Sequence, residues 1–253
     1  MADYDVLVAP DPYWLPPGVA ARIKDWVREG GVLIAEPYFC GWDTESFLHQ
    51  TTVPGYGFDE VFGCRQGSAR TIRHDLDEHA ELTVTSELPR MKAGDAFTGT
   101  VVEEGYEALS DDVTVLAESA RGEAAVVAHR YGEGHAIAIG TYVGVEYATT
   151  RSAATARLVV SCMERCYEHP PRPHVKEDVC VRVDWIRCEA RTWVTVANNT
   201  GADASATVWL PDATLSRLVD LYTGEELRLT EDEDGACAQV KLPPDGFRVY
   251  DAT

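Results

Sequence analysis

The sequence predicts an α/β domain with an open, mostly parallel sheet, followed by a small antiparallel β-sandwich-like domain. Three observations predict it. Two short apolar runs without alternation, Val6-Leu7-Val8-Ala9 and Val32-Leu33-Ile34-Ala35, flank an amphipathic stretch near the start of the chain. A proline-rich segment, His169-Pro170-Pro171-Arg172-Pro173, interrupts the chain well past its middle. Beyond it, apolar and polar residues alternate and turn residues recur.

The two apolar runs have the pattern of strands covered on both faces. Between them Val19, Ile23, Trp26 and Val27 fall at helical spacing, with Pro16-Pro17 at the start and Gly30-Gly31 at the end, as expected of a capped helix. The three pieces form a β-α-β unit, whose crossover is expected to be right-handed. The unit begins at Asp3 with no lead-in, so the sheet is expected to expose an edge or an apolar face there.

Pro54-Gly55-Tyr56-Gly57 reads as a loop, and Asp59-Glu60-Val61-Phe62-Gly63 as a helical turn with a glycine stop. Leu82 and Val84 alternate with Thr83 and Thr85, which predicts an exposed strand over 81–86. Val113–Ala117 predicts another. Ala125–Ala128 and Ala136–Ile139 flank Tyr131-Gly132-Glu133-Gly134 as a hairpin. Leu158, Val159, Cys162, Met163 and Cys166 make the core stripe of a closing helix over 152–167. The first domain is thus assigned to residues 1–168, and 169–174 to a stiff proline-rich linker that cannot continue the helix. In 175–253 the alternation runs through Val179, Val181, Val183 and Trp185, Val194 and Val196, and Val208 and Leu210. Turn signals stand at Asn198-Asn199-Thr200-Gly201, Thr223-Gly224, Asp234-Gly235 and Asp245-Gly246.

At 253 residues the chain is long enough to bury a core in each of two domains, and its 45% hydrophobic and 25% charged content is that of a globular protein. With 42 acidic against 22 basic residues and a net charge of −20, nucleic acid and anionic membrane surfaces are poor partners. No apolar run reaches membrane-spanning length, and the first residues carry no basic stretch and apolar core, so a cytoplasmic location is expected. Seven cysteines, odd in number, scattered and without a CxxC pair, read as reduced and mostly buried thiols.

No cofactor or metal is expected, and no catalytic residue is assigned. Cys162 and Cys166 share a helix face, but no second ligand pair follows at zinc-site spacing. The run from His74 to His79 collects metal-compatible side chains, yet spacing anchors no further ligand. Gly132-Glu133-Gly134 joins two strands and opens no helix, so it lacks the oriented amides of a phosphate loop. Asn198-Asn199-Thr200 is a formal glycosylation sequon. Trp14, Trp42 and Tyr142 stand near predicted strand C-termini, the edge where open α/β sheets bind ligands, and are the candidate ligand-binding aromatics. Cys40 is the candidate nucleophile. In Tyr38-Phe39-Cys40-Gly41-Trp42 it follows a strand, where class I glutamine amidotransferase-like folds place theirs. The His-x-Glu partner of those enzymes is absent, the late strand leading instead to Gly140-Thr141-Tyr142-Val143-Gly144, and no base is at hand to hold a thiolate.

Tyr4–Pro10, Val27–Ile34, Phe62-Gly63-Cys64, Leu116-Ala117-Glu118, Ala124–Val127 and Tyr131–Thr141, in that order, resemble the trimerisation domain of family-42 β-galactosidases. Asn198-Asn199-Thr200 and Asp220–Glu225 resemble the short C-terminal β domain of the same enzymes. The resemblance implies a class I glutamine amidotransferase-like (flavodoxin-like) fold without the amidotransferase machinery. It also implies a non-catalytic oligomerisation or accessory portion, whose catalytic glutamates sit in a barrel this chain lacks. The implied partners are two further copies, in a homotrimer, or a catalytic barrel subunit. β-Galactosidase activity is then expected only in a full-length or complexed context. Two alternatives remain: a carbohydrate-sensing module holding a galactoside at Trp14, Trp42 and Tyr142, and a free-standing hydrolase using Cys40.

Overall fold

The computed structural model describes residues 4–73, 76, 78–167, 172–177, 179–188, 191–232 and 235–253. His74, Asp75 and Asp77 of the acidic run, His169, Pro170 and Pro171 of the proline-rich segment, Asp3 and the turn residue Asp234 lie outside them. The chain divides into two units, Met1–Glu168 and His169–Thr253.

The first unit opens with β1 (Val6–Ala9), α1 (Pro17–Arg28) and β2 (Val32–Ala35). Proline is tolerated at the start of α1 because a first-turn N–H has no helical partner to lose. The Val19 and Ala20 amides return to the Pro16 carbonyl at 2.8 and 3.0 Å. Gly30, at φ +121°, lets the chain turn out of the helix into β2. A small hairpin, β3 (Trp42–Asp43) and β4 (Leu48–His49), precedes α2 (Phe58–Phe62), which Gly63 stops at φ +64°. Then come β5 (Cys64–Thr71), β6 (Ala80–Val84), β7 (Ala96–Gly99), β8 (Val102–Ala108), β9 (Thr114–Ser119), β10 (Ala124–Tyr131) and β11 (Gly134–Ile139). Two helices close the unit, α3 (Val143–Thr150) and α4 (Ala153–Cys166). Ser152 caps α4, its hydroxyl accepting the Thr155 amide at 3.3 Å, a contact worth about 1 kcal/mol.

The strands form one nine-stranded sheet in the order β1-β2-β11-β10-β9-β6-β7, with β8 pairing β10 and β5. The open α/β sheet expected from sequence is present, but parallel pairing is confined to β1–β2 and β2–β11. The other pairings are antiparallel because tight links such as Gly132-Glu133, between β10 and β11, can only return the chain antiparallel. One face packs on α1 and α2 through Ile23, Val27, Leu33, Phe58 and Phe62, and the other on α4 through Ile34, Leu116, Ile137, Leu158 and Cys162. Leu158 is fully buried, and truncating it to Ala would cost about 2–5 kcal/mol.

Two local expectations need correction. β2 is buried throughout, but β1 is an edge strand with Val8 42% exposed, so its apolar run does not mark cover on both faces. The strand near 81–86 is β6, which lies between β9 and β7 and buries Ala80, Leu82 and Val84.

The second unit carries β12 (His174–Val175), β13 (Val181–Cys188), β14 (Arg191–Asn198), β15 (Ala204–Leu210) and β16 (Arg217–Asp220). These are followed by β17 (Glu226–Arg228), β18 (Thr230–Asp232), β19 (Gly235–Leu242) and β20 (Phe247–Ala252). Two antiparallel sheets result, β12-β15-β19-β18 and β13-β14-β20-β16-β17. Their alternate residues Val194, Val196, Val208, Leu210, Leu218 and Val240 make a shared core. The sequon asparagine, Asn198, is buried, and its side chain donates to the carbonyls of Ala202 and Pro243 at 2.8 Å each while accepting from Thr200. It is a turn fastener. All seven cysteines are free thiols, but only Cys40, Cys64 and Cys162 are fully buried, while Cys180 and Cys188 are exposed. No helix among the described residues is long and apolar enough to cross a membrane.

Candidate functional site at the strand edge

The C-terminal ends of β1, β2 and β11 meet at one edge of the sheet, where Asp11, Glu36 and Tyr142 face a cleft of about 420 Å³. Glu36, one residue past β2, is 6% exposed, and its carboxylate accepts the Gly144 amide at 2.7 Å. That amide belongs to the first turn of α3, an end that favours negative charge. Burial raises the Glu36 pKa, opposed by hydrogen bonds from the amides of Gly144, Asp11 and Val143. A Cβ at position 144 would come within 3.1 Å of the carboxylate, which would have to shift by a few tenths of an ångström to admit it. Across the cleft the Tyr142 hydroxyl donates to Asp11 at 3.0 Å, and burial, with Asp11 beside it, pushes that phenol up. The anion-binding position of this edge is therefore occupied by the protein's own carboxylate.

Cys40 lies in the elbow after β2, and its φ of +53° is unusual for a residue other than glycine. The backbone resembles a nucleophile elbow, but the side chain does not serve as one. The thiol is fully buried, packed in the core with Phe39 and Phe58, and burial pushes it up to about 12 despite the nearby Lys24 charge. Its amide is tied to the Pro12 carbonyl at 2.8 Å.

Beneath the elbow lies a group that no local sequence pattern singles out. Glu104, on β8, is 1% exposed and accepts the Tyr38 amide at 3.2 Å, the Tyr106 hydroxyl at 2.9 Å and the Gln66 amide group. Desolvation dominates these three bonds and raises its pKa to about 7. The adjacent Glu103 is also buried and is held by Arg70 and Arg121 at 3.0–3.1 Å. The signal was available as two consecutive glutamates between Val102 and Gly105, but burial of both faces of β8 is a tertiary fact.

Tyr142 lines the cleft, whereas Trp14, 60% exposed, lines a separate apolar groove that shares Pro10 and Asp11 with it. Trp42 is half-buried, bridged to Trp14 through the backbone and packed on Tyr13 and His49 at 6.1 and 5.3 Å between ring centres. The three aromatics thus do not converge on one polar site. No cluster of three or more metal-ligating side chains occurs among the described residues. His79 of the acidic run pairs instead with Glu146 at 3.2 Å.

A family profile described as beta-galactosidase trimerisation domain matches residues 1–164. No curated protein matches the chain. Among solved structures, a β-galactosidase from Bacillus circulans sp. alkalophilus superposes with a TM-score of 0.71 at 18% identity, over 100% of this chain and 33% of that one. A catalytic mutant of a GH42 β-galactosidase from G. stearothermophilus gives 0.70 at 19% identity, over 100% of this chain and 32% of that one. An α-L-fucosidase isoenzyme from Paenibacillus thiaminolyticus gives 0.64 at 14%, over 98% of this chain and 40% of that one. The chain spans about a third of the length of the β-galactosidases it matches. The resemblance drawn from the sequence is borne out, over the first unit by the family profile and over the whole chain by the fold.

Proposed function

The chain belongs to the β-galactosidase trimerisation domain family, and on that premise we propose that it is the oligomerisation and accessory portion of a family-42-type β-galactosidase. In this reading it self-associates as a trimer or holds a catalytic barrel subunit, and the glycosidic chemistry comes from residues outside this chain. The observation that carries the reading is the filled strand edge: Glu36 occupies the N-terminus of α3, and Cys40 is buried with its pKa raised. Glycoside hydrolysis of the usual kind needs two carboxylates facing each other across a sugar. Asp11 and Glu36 are instead engaged with Tyr142 and Gly144. A sugar site at Trp14 is less well supported, because a sugar needs convergent polar partners and the groove there is walled by apolar side chains.

Aryl β-galactoside hydrolysis tests the catalytic half of the reading. The purified chain alone is expected to give no turnover above a buffer blank. Turnover that survives repurification and is abolished by Glu36→Gln or Asp11→Asn would overturn it.

A further inference from the structure

Past the last layer of the α4 core, the first unit opens into a polar cleft of about 380 Å³. Ala128 of β10 and Ile137 of β11 pack in one core with Leu158 and Cys162 of α4. Two residues further along the same face of the strands stand Arg130 and His135, which are cross-strand partners. Thr114 of β9 pairs with Ala128, and one turn beyond Cys162 the helix ends with Arg165 beside Cys166. Thr114, Arg130, His135 and Arg165 all line the cleft.

These groups are poorly matched by the protein itself. The side chains of Thr114, His135 and Arg165 make no hydrogen bond or ion pair with any described residue. Arg130 reaches only the Gly132 carbonyl at 3.2 Å and Glu133 at 3.1 Å, a mostly exposed pair that holds it weakly. The carboxylate on the cleft, Asp112, is engaged by His129 at 3.3 Å and by the Ser110 hydroxyl. In a chain with 42 acidic and 22 basic residues, two arginines and two histidines around one carboxylate make a local cationic excess. Screening over about 8–10 Å keeps the distant carboxylates from cancelling it. Burial lowers the His135 pKa, and the charges of Arg130 and Arg165 lower it further. Three basic groups are thus held close enough to oppose one another, and an anion between them would relieve that repulsion.

We propose that this cleft binds a phosphate monoester, its phosphate lying between Arg130 and Arg165 with Thr114 and His135 donating to the oxygens. A guanidinium can pair two oxygens of such an anion at once, and a charge of about −1.5 to −2 on the phosphate matches two arginines. The carbonyl end of α4 offers an anion nothing, so the side chains supply the attraction. A metal does not fit, since no cluster of three or more metal-ligating side chains occurs among the described residues. The cleft lies in the volume range of small-molecule sites, roughly 300–1,000 Å³. A bare phosphate fills only part of it, which leaves room for the esterified group, and the polar lining suits a sugar or polyol better than an apolar tail. The site lies within the first unit and does not depend on the oligomerisation reading.

Isothermal titration calorimetry of the whole chain with glucose 6-phosphate, inorganic phosphate and glucose tests the site. Glucose 6-phosphate should bind several-fold more tightly than inorganic phosphate, and glucose should not bind. Arg130→Ser/Arg165→Ser should weaken glucose 6-phosphate binding by about tenfold or more, as expected for loss of charge-assisted hydrogen bonds. Its circular dichroism spectrum should be unchanged, because both side chains are exposed. Arg182→Ser, in the second unit, should bind as the parent does. Binding that the double variant retains, or no saturable binding of either phosphate, would overturn the site. Equal affinity for the two phosphates would overturn the ester and assign the cleft to the free ion.

Discussion

The Glu36 carboxylate accepts the Gly144 amide at 2.7 Å and so joins the end of β2 to the first turn of α3. In an open α/β sheet this is where a ligand's negative group would otherwise sit. The bond therefore serves stability at a place where related architectures place function.

Glu36→Ala should lower unfolding free energy by about 1.5–3 kcal/mol, the range for a hydrogen bond to a charged group. Gly144→Val should also destabilise, because its Cβ would come within 3.1 Å of the carboxylate and push it off the amide. Urea denaturation checks both. A neutral Glu36→Ala would mean that the carboxylate does not hold the helix.

Glu104 should make stability depend on pH. Its folded pKa of about 7 stands above the ordinary 4.5, raised chiefly by desolvation. Between those values the folded chain binds the proton more tightly than the unfolded chain, so stability falls as pH rises from about 4.5 to 7. The loss is on the order of 3 kcal/mol at 1.36 kcal/mol per pKa unit. Glu104→Gln removes the titration, and its stability difference between pH 5 and pH 8 should shrink accordingly. An unchanged pH profile would place the titrating group elsewhere.

Iodoacetamide labelling with peptide mapping tests the elbow thiol. Cys180 and Cys188 are exposed and should react first at neutral pH, while Cys40, buried and pushed up to about 12, should label only on unfolding. Stoichiometric labelling of native Cys40 ahead of the others would restore it as a nucleophile.

Elements fixed by local chemistry were legible in the sequence. The prolines and glycines bounding α1, the Ser152 cap of α4, the Gly63 stop and the Tyr131–Gly134 hairpin each carry their own backbone signal. The β5–β8 ladder was not legible, because Cys64–Thr71 is made of small and polar residues with no apolar alternation and β8 buries two glutamates. Those carboxylates are stabilised by Arg70, Arg121, Gln66 and Tyr106, partners whose approach periodicity cannot report. The site shows the same division. Cys40 and Tyr142 could be placed at the strand edge from chain order, but the occupation of that edge by Glu36 depends on a contact 108 residues away. The apolar run of β1 misled because a strand at the end of a sheet can have the composition of a covered one.

Asn198→Ala should destabilise the second unit by about 1–2 kcal/mol, since it removes two hydrogen bonds to the Ala202 and Pro243 carbonyls, which keep only the Thr200 hydroxyl and the Gly246 amide as donors. Differential scanning calorimetry reads the effect. A variant as stable as the parent would mean that water replaces the side chain at no cost.

The central claim is self-association, and the mass of the purified chain in solution tests it most directly. Light scattering across a concentration and salt series should give three times the 27.8 kDa chain mass. The association should strengthen as salt screens the repulsion between chains of charge −20. A well-folded species of 27.8 kDa at micromolar concentration in high salt would contradict the account.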